Sequence, residues 1–291
     1  MKAVWSYKKI DDFREQTMRW YLMIASVYSW RKFAPQFTRV LYLDAYTRKI
    51  LSAMDNNVLS LWDEIIELDF NTLLTRAGNK YWCGNKGYAL VNQTEPFWFL
   101  DADVVLHKPI DSWFDSKNYY GWTNISLYRG SFKGAGMEEA FRTRDEVYRL
   151  EPGLRQLNCL NRGVNGGCIF YADPKVGVLT GYLLLGIQSK FFTDTEYNIK
   201  DKFESLDEFY YHTGDLCEEG VYPAVFDLLG IEVQNLYDST YRDCFVHYFD
   251  KKRDFANYTE TRKKLNSILE CNIELSYMQP ILSNNQESSL V

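Results

Sequence analysis

Two carboxylates one residue apart stand between two apolar runs in Trp98-Phe99-Leu100-Asp101-Ala102-Asp103-Val104-Val105-Leu106, so the pair falls where a buried strand ends. Burying two acids beside a core strand is unfavourable unless something neutralises them, and a divalent cation does so most directly. Hard cations such as Mn²⁺ or Mg²⁺ take oxygen ligands and share them with phosphate, which makes a metal-held diphosphate the expected occupant. The alternative is a plain turn, since Asp is common where a strand gives way to one.

Three further features carry compatible chemistry. Lys86, in Gly84-Asn85-Lys86-Gly87-Tyr88, opens the helix before the aspartate strand, where an ammonium can meet a diphosphate or a sugar. An ordinary exposed lysine at a helix start is the other reading. Asn165-Gly166-Gly167 begins a strand whose glycines let the backbone approach a ligand such as a sugar ring, or else mark a bulge. His247 is one of three histidines and lies in Phe245-Val246-His247-Tyr248-Phe249, followed by Lys251-Lys252-Arg253. A histidine in an apolar strand can be a hydrogen-bonded core residue; the cations that follow point instead to metal and diphosphate.

The elements that must position these residues alternate. Residues 3–7, 39–44, 64–68 and the aspartate run read as strands, and residues 14–33, 49–54 and 88–92 carry helical spacing. That alternation predicts an α/β chain with a mainly parallel sheet covered by helices on both faces, whose ligand sits beyond the carboxyl ends of the strands. Further along, residues 120–122 predict a short strand, 131–136 a loop, 138–150 a charged helix and 163–172 a strand. Pro174 opens a helix to about residue 190; residues 218–229 predict a helix, 232–236 a strand and 244–248 a last apolar run. The polar stretch after Met278 predicts a frayed tail.

The 291 residues include 22 Tyr, 18 Phe and 8 Trp, enough for a sizeable core and against disorder. A formal charge of −6 argues against a surface built to grip nucleic acid. The six cysteines form no Cys-x-x-Cys pair, and Cys168 sits in an apolar run, which fits free thiols in a reducing compartment. The N-terminus becomes charged too early for a signal peptide and no stretch reaches membrane-span length, so a cytoplasmic protein is expected.

This order of features resembles the GT-A glycosyltransferases, and among them the glycogenin-type family 8 enzymes and their bacterial and viral relatives. Such enzymes place a lysine one helix before a strand ending in Leu-Asp-Ala-Asp, as Lys86 precedes Leu100-Asp101-Ala102-Asp103, then an Asn-x-Gly strand and a late histidine followed by lysine. The chain departs from the family after His247, where the usual glycine and Lys-Pro-Trp are replaced by Tyr248-Phe249-Asp250-Lys251-Lys252-Arg253. The resemblance covers about residues 1–255 and implies one GT-A-type nucleotide-diphospho-sugar transferase domain. Its nucleotide-binding half would span 1–110 and its acceptor-side half 111–255, with a C-terminal helix and tail over 256–291.

The resemblance further implies that Asp101 and Asp103, with His247, hold Mn²⁺ or Mg²⁺ and that Asp101 contacts the ribose. It implies that Lys86, Lys251 and Lys252 face the diphosphate, that Tyr7 stacks on the base, and that Val4, Ala102, Asn165, Gly166 and Gly167 complete the donor contacts. A UDP-sugar is the favoured donor, a hexose the expected sugar, and retention the favoured outcome. Asp215, Glu218 and Glu219 are candidate bases for an inverting route; an acidic cluster at a helix N-terminus also has a plain dipole explanation. A saccharide, a glycoprotein or a small hydroxylated molecule is the expected acceptor, with Tyr119, Tyr120, Trp122, Tyr128, Tyr210 and Tyr211 as aromatic candidates to meet it. Three rivals are a nucleotidylyltransferase, disfavoured because residues 1–20 lack glycine, a non-catalytic nucleotide-sugar-binding module, and a transferase acting on a hydroxylated DNA base.

Overall fold

A computed structural model describes residues 1–7, 13–54, 57–69, 84–125, 163–193, 221–238, 240–248 and 258–278. The chain is α/β and divides into two compact units, the first built from Met1–Leu68, Leu100–Asp115 and Asp238–Val291, the second from Asp69–Phe99 and Ser116–Tyr237.

In the first unit β1 (Lys2–Tyr7), β2 (Thr38–Leu43) and β3 (Glu64–Glu67) run parallel in the order β3-β2-β1, with Val4 opposite Val40 and Tyr7 opposite Leu43. Ala3, Val4 and Trp5 are fully enclosed, which is why β1 is a continuous apolar run rather than an alternating one. Helix α1 (Phe13–Phe33) joins β1 to β2. Helix α2 (Ala45–Met54) begins four residues ahead of the expected start because the Asp44 carboxylate accepts the Thr47 N–H at 2.6 Å and caps it. A second, two-stranded sheet pairs β5 (Val104–Leu106) with β9 (Phe245–His247) antiparallel, and the unit closes with α5 (Tyr258–Leu269) and α6 (Ile273–Tyr277). The Tyr21 hydroxyl ties α1 to α5 by donating to Asn266 Oδ1 at 2.8 Å.

The second unit orders its strands β4-β7-β6-β8: β4 (Phe97–Leu100), β7 (Gly163–Tyr171), β6 (Tyr119–Ile125) and β8 (Val233–Asn235). Strand β6 runs parallel to β8 and antiparallel to β7, with register shifts after Gly121 and after Thr123. Helices α3 (Gly84–Val91) and α4 (Pro174–Thr193) pack closely because two glycines meet there: a Cβ on Gly181 would lie 2.7 Å from the Gly87 carbonyl oxygen. Residues 221–229 are helical as expected; residues 218–220, the expected loop at 131–136, the helix at 138–150 and the tail after Met278 lie outside the described residues. Among the described residues no helix is long and apolar enough to cross a membrane, and Cys168, Cys244 and Cys271 form no disulfide.

Candidate metal centre

The apolar run around the aspartates is two strands, not one. Strand β4 ends at Leu100, the Val104 N–H donates to the Asp101 carbonyl at 3.2 Å to close a turn, and β5 starts on the other side. Asp101 therefore opens a tight turn and Asp103 lies within it. Strand β9 then carries His247 in, because its register sets His247 directly opposite Val104. The Tyr248 N–H continues the ladder by donating to the Asp103 carbonyl at 3.0 Å.

His247 Nε2 lies 3.2 Å from Asp103 Oδ1 and 4.0 Å from Asp101 Oδ2, and one donor atom from each of the three falls within 4.8 Å of the others. The ring thus faces two carboxylates, an arrangement open both to a metal ligand and to a hydrogen-bonded core histidine. Asp103 is 1% exposed. A carboxylate that deep needs positive charge beside it, and two carboxylates with one imidazole, their donor atoms within 4.8 Å of one another, could hold a divalent cation.

Around the donors the environment is built from aromatic and hydroxyl groups. Tyr7 packs its ring against Trp20 at 5.0 Å, and burial pushes its hydroxyl up to about 12, the Arg19 guanidinium opposing that shift and the Asp103 carboxylate adding to it. Tyr7 thus stays a neutral phenol within the electrostatic reach of Asp103. The Tyr248 hydroxyl and His107 Nε2 are 3.1 Å apart. Burial lowers the His107 pKa to about 4, with Lys264 and Lys108 adding to the effect, and raises that of Tyr248 to about 12, so both are neutral at ordinary pH.

Of the other expected site residues, Ala102 sits half-buried in the turn, while Val4 is fully enclosed at the centre of β1. Lys86, Gly166 and Gly167 belong to the second unit. Lys86 is 4% exposed, so the ordinary surface lysine is not what is found, and Gly166 and Gly167 are buried in β7, which also carries Asn165. Asp215, Glu218, Glu219, Lys251 and Lys252 lie outside the described residues. Two acceptor candidates are corrected: Tyr120 and Trp122 are core side chains, 1% and 3% exposed, with Tyr120 stacked on Trp98 because β6 is an interior strand of its sheet. Tyr128, Tyr210 and Tyr211 lie outside the described residues.

Sequence reasoning missed Ser26 and Ser29, which are fully buried on α1 and bond to β5. Their signal was faint: two hydroxyls three residues apart on an otherwise apolar helix face. Tyr248 and His107 were likewise passed over, having no motif around them.

No protein-family model matches the sequence, and no curated protein matches it. Among solved structures the fold is similar to the PaToxG glycosyltransferase, at 9% identity over 93% of this chain and 78% of that one, with a TM-score of 0.41. It is similar to mouse xyloside xylosyltransferase 1 in its apo form, at 14% identity over 87% and 92% of the two chains, with a TM-score of 0.41. It is also similar to the galactosyltransferase LgtC in complex with donor and acceptor sugar analogues, at 12% identity over 93% and 95%, with a TM-score of 0.43. These structural neighbours are GT-A glycosyltransferases.

Proposed function

We propose that the chain is a metal-dependent glycosyltransferase, moving a sugar from a nucleotide-diphosphate sugar to a hydroxyl acceptor. The observation that carries this reading is the convergence of Asp101, Asp103 and His247 at a tight turn, a donor set suited to a divalent cation shared with phosphate. A bound Mn²⁺ or Mg²⁺ would supply charge to stabilise the departing diphosphate. Asp103 and His247 hold the ion, and Asp101 divides itself between the ion and the ribose. Lys86 and the Asn165-Gly166-Gly167 segment are assigned to the donor by their motifs, as are Lys251 and Lys252. In the reaction the acceptor oxygen bonds to the anomeric carbon, the bond from that carbon to the phosphate oxygen breaks, and the acceptor's proton leaves with the diphosphate or a nearby base.

A UDP-hexose is the favoured donor and retention the favoured outcome, both from the sequence resemblance. The acidic balance of the chain favours a saccharide or small hydroxylated acceptor over nucleic acid, since duplex binding draws on many phosphate contacts.

The test is to incubate the protein with Mn²⁺ and a panel of nucleotide sugars and follow release of the nucleotide diphosphate. One donor should be hydrolysed slowly without acceptor, and Asp103→Asn should lose at least about a hundredfold in rate while keeping its fold, because a nearly isosteric side chain has lost its charge. Wild-type turnover in that variant refutes the metal centre. Donor binding with no turnover on any acceptor would mark a binding module instead.

A further inference from the structure

Strand β5 is three residues long and, among the described residues, has a strand partner on one edge. Alternate residues of a strand turn their backbone groups to opposite edges. Asp103 and His107 face β9: the Asp103 carbonyl accepts the Tyr248 N–H, and the His107 N–H donates to the Cys244 carbonyl at 2.9 Å. Val104 and Leu106 face the other way, toward α1. There the Ser26 hydroxyl donates to the Val104 carbonyl at 2.5 Å, and Ser29 Oγ accepts the Leu106 N–H at 2.9 Å. Two hydroxyls three residues apart on one helix face thus take the backbone groups of that edge.

Neither hydroxyl is free to turn elsewhere. Ser26 Oγ also accepts the Trp5 indole N–H at 3.0 Å, and the Ser29 hydroxyl donates to the Ser26 carbonyl at 2.6 Å. Both serines are fully buried, so no water substitutes for them.

We propose that Ser26 and Ser29 are positioning residues for the metal centre: by pinning the backbone of Val104 and Leu106 they fix where Asp103 and its ladder partner His247 present their ligand atoms. The inference rests on the metal-centre reading given above. The serines touch no ion or substrate and act through β5 alone.

The experiment titrates Mn²⁺ alone into the full-length protein and reads the free-ion electron paramagnetic resonance signal, with thermal melting recorded beside it. Ser26→Ala should weaken Mn²⁺ binding about tenfold or more, the scale on which supporting groups act on metal sites, and Ser26→Thr should recover most of it. The control is Thr180→Ala, which removes another fully buried helix hydroxyl, bonded to the Val176 carbonyl at 2.8 Å in the second unit. It should lower the melting temperature without touching Mn²⁺ affinity. If Ser26→Ala does not fold, Ser29→Ala, which spares the Trp5 indole bond, serves in its place with a smaller loss. Folded Ser26→Ala or Ser29→Ala protein with wild-type Mn²⁺ affinity overturns the proposal. A wild type that binds no Mn²⁺ overturns the metal-centre reading itself, and the inference with it.

Discussion

The two units hold their helices in opposite ways. In the first, α1 is fastened to β5 by directed hydrogen bonds from Ser26 and Ser29. In the second, α3 and α4 touch through Gly87 and Gly181, the backbone of one helix lying against the other. Hydrogen bonds fix direction as well as distance, whereas close packing fixes distance and resists any added volume. The polar fastening stands behind Asp103 and His247, the proposed ligands. The close packing stands beside Lys86, which neighbours Gly87 on α3.

The contrast can be broken most severely at Gly181. Gly181→Val should cost about 3 kcal/mol or more, because its new carbon atoms meet the Gly87 carbonyl, Val91 and Leu90 at under 3 Å and backbone cannot yield cheaply. Chemical denaturation measures the loss, and Mn²⁺ affinity of the protein that remains folded should stay unchanged. A Gly181→Val variant as stable as wild type would show that the helices part readily.

His247→Ala tests the other side of the contrast. Mn²⁺ affinity should fall about tenfold or more while stability changes by only about 1 kcal/mol, since the ring is half-buried and its loss leaves no large cavity. Early melting with unaltered affinity would return His247 to the core.

A smaller effect is expected from acid. The His107 pKa is lowered on folding from 6.5 to about 4, so between those values the unfolded chain binds the extra proton. The stability that His107 contributes as a neutral ring is complete above about pH 6.5 and declines as pH falls toward 4. Allowing for partial solvent screening, about 1 kcal/mol should be lost between pH 7 and pH 5, and His107→Gln should flatten that part of the profile. An unchanged slope in the variant would assign the acid sensitivity elsewhere. Lys108→Ala, which breaks an exposed 3.2 Å pair with Asp243, should shift stability by less than about 0.5 kcal/mol.

What could be read in the sequence follows from how much repeated signal each feature leaves. Strands β1 and β2 are apolar on both faces and announce themselves, and Asp101-x-Asp103 stands out because acids are rare beside such runs. Strands β5 and β9 have three residues each, too short for any periodicity, so the pairing that brings His247 to the aspartates was invisible even though each residue was flagged. Ser26 and Ser29 passed as small residues tolerated in a helix, because a buried serine's value lies in partners 77 and 78 positions away. Lys86 looked like a diphosphate or sugar contact, with a surface lysine as the alternative, since nothing local signals its enclosure, and Tyr120 and Trp122 looked like acceptor contacts since aromatic residues serve cores and binding faces alike.

The β5–β9 pairing also sets a timetable for the nascent chain. The neighbouring His107–Tyr248 contact closes a loop of 141 positions, so the aspartates emerge from the ribosome long before the histidine that joins them. With synthesis at about 5–20 residues per second, the interval is of order ten seconds, during which β5 lacks its strand partner and both acids lack the imidazole. Contacts so distant in sequence form late and slow the overall folding reaction. A chain stopped short of residue 244 would carry both aspartates and yet be unable to assemble the three-residue cluster.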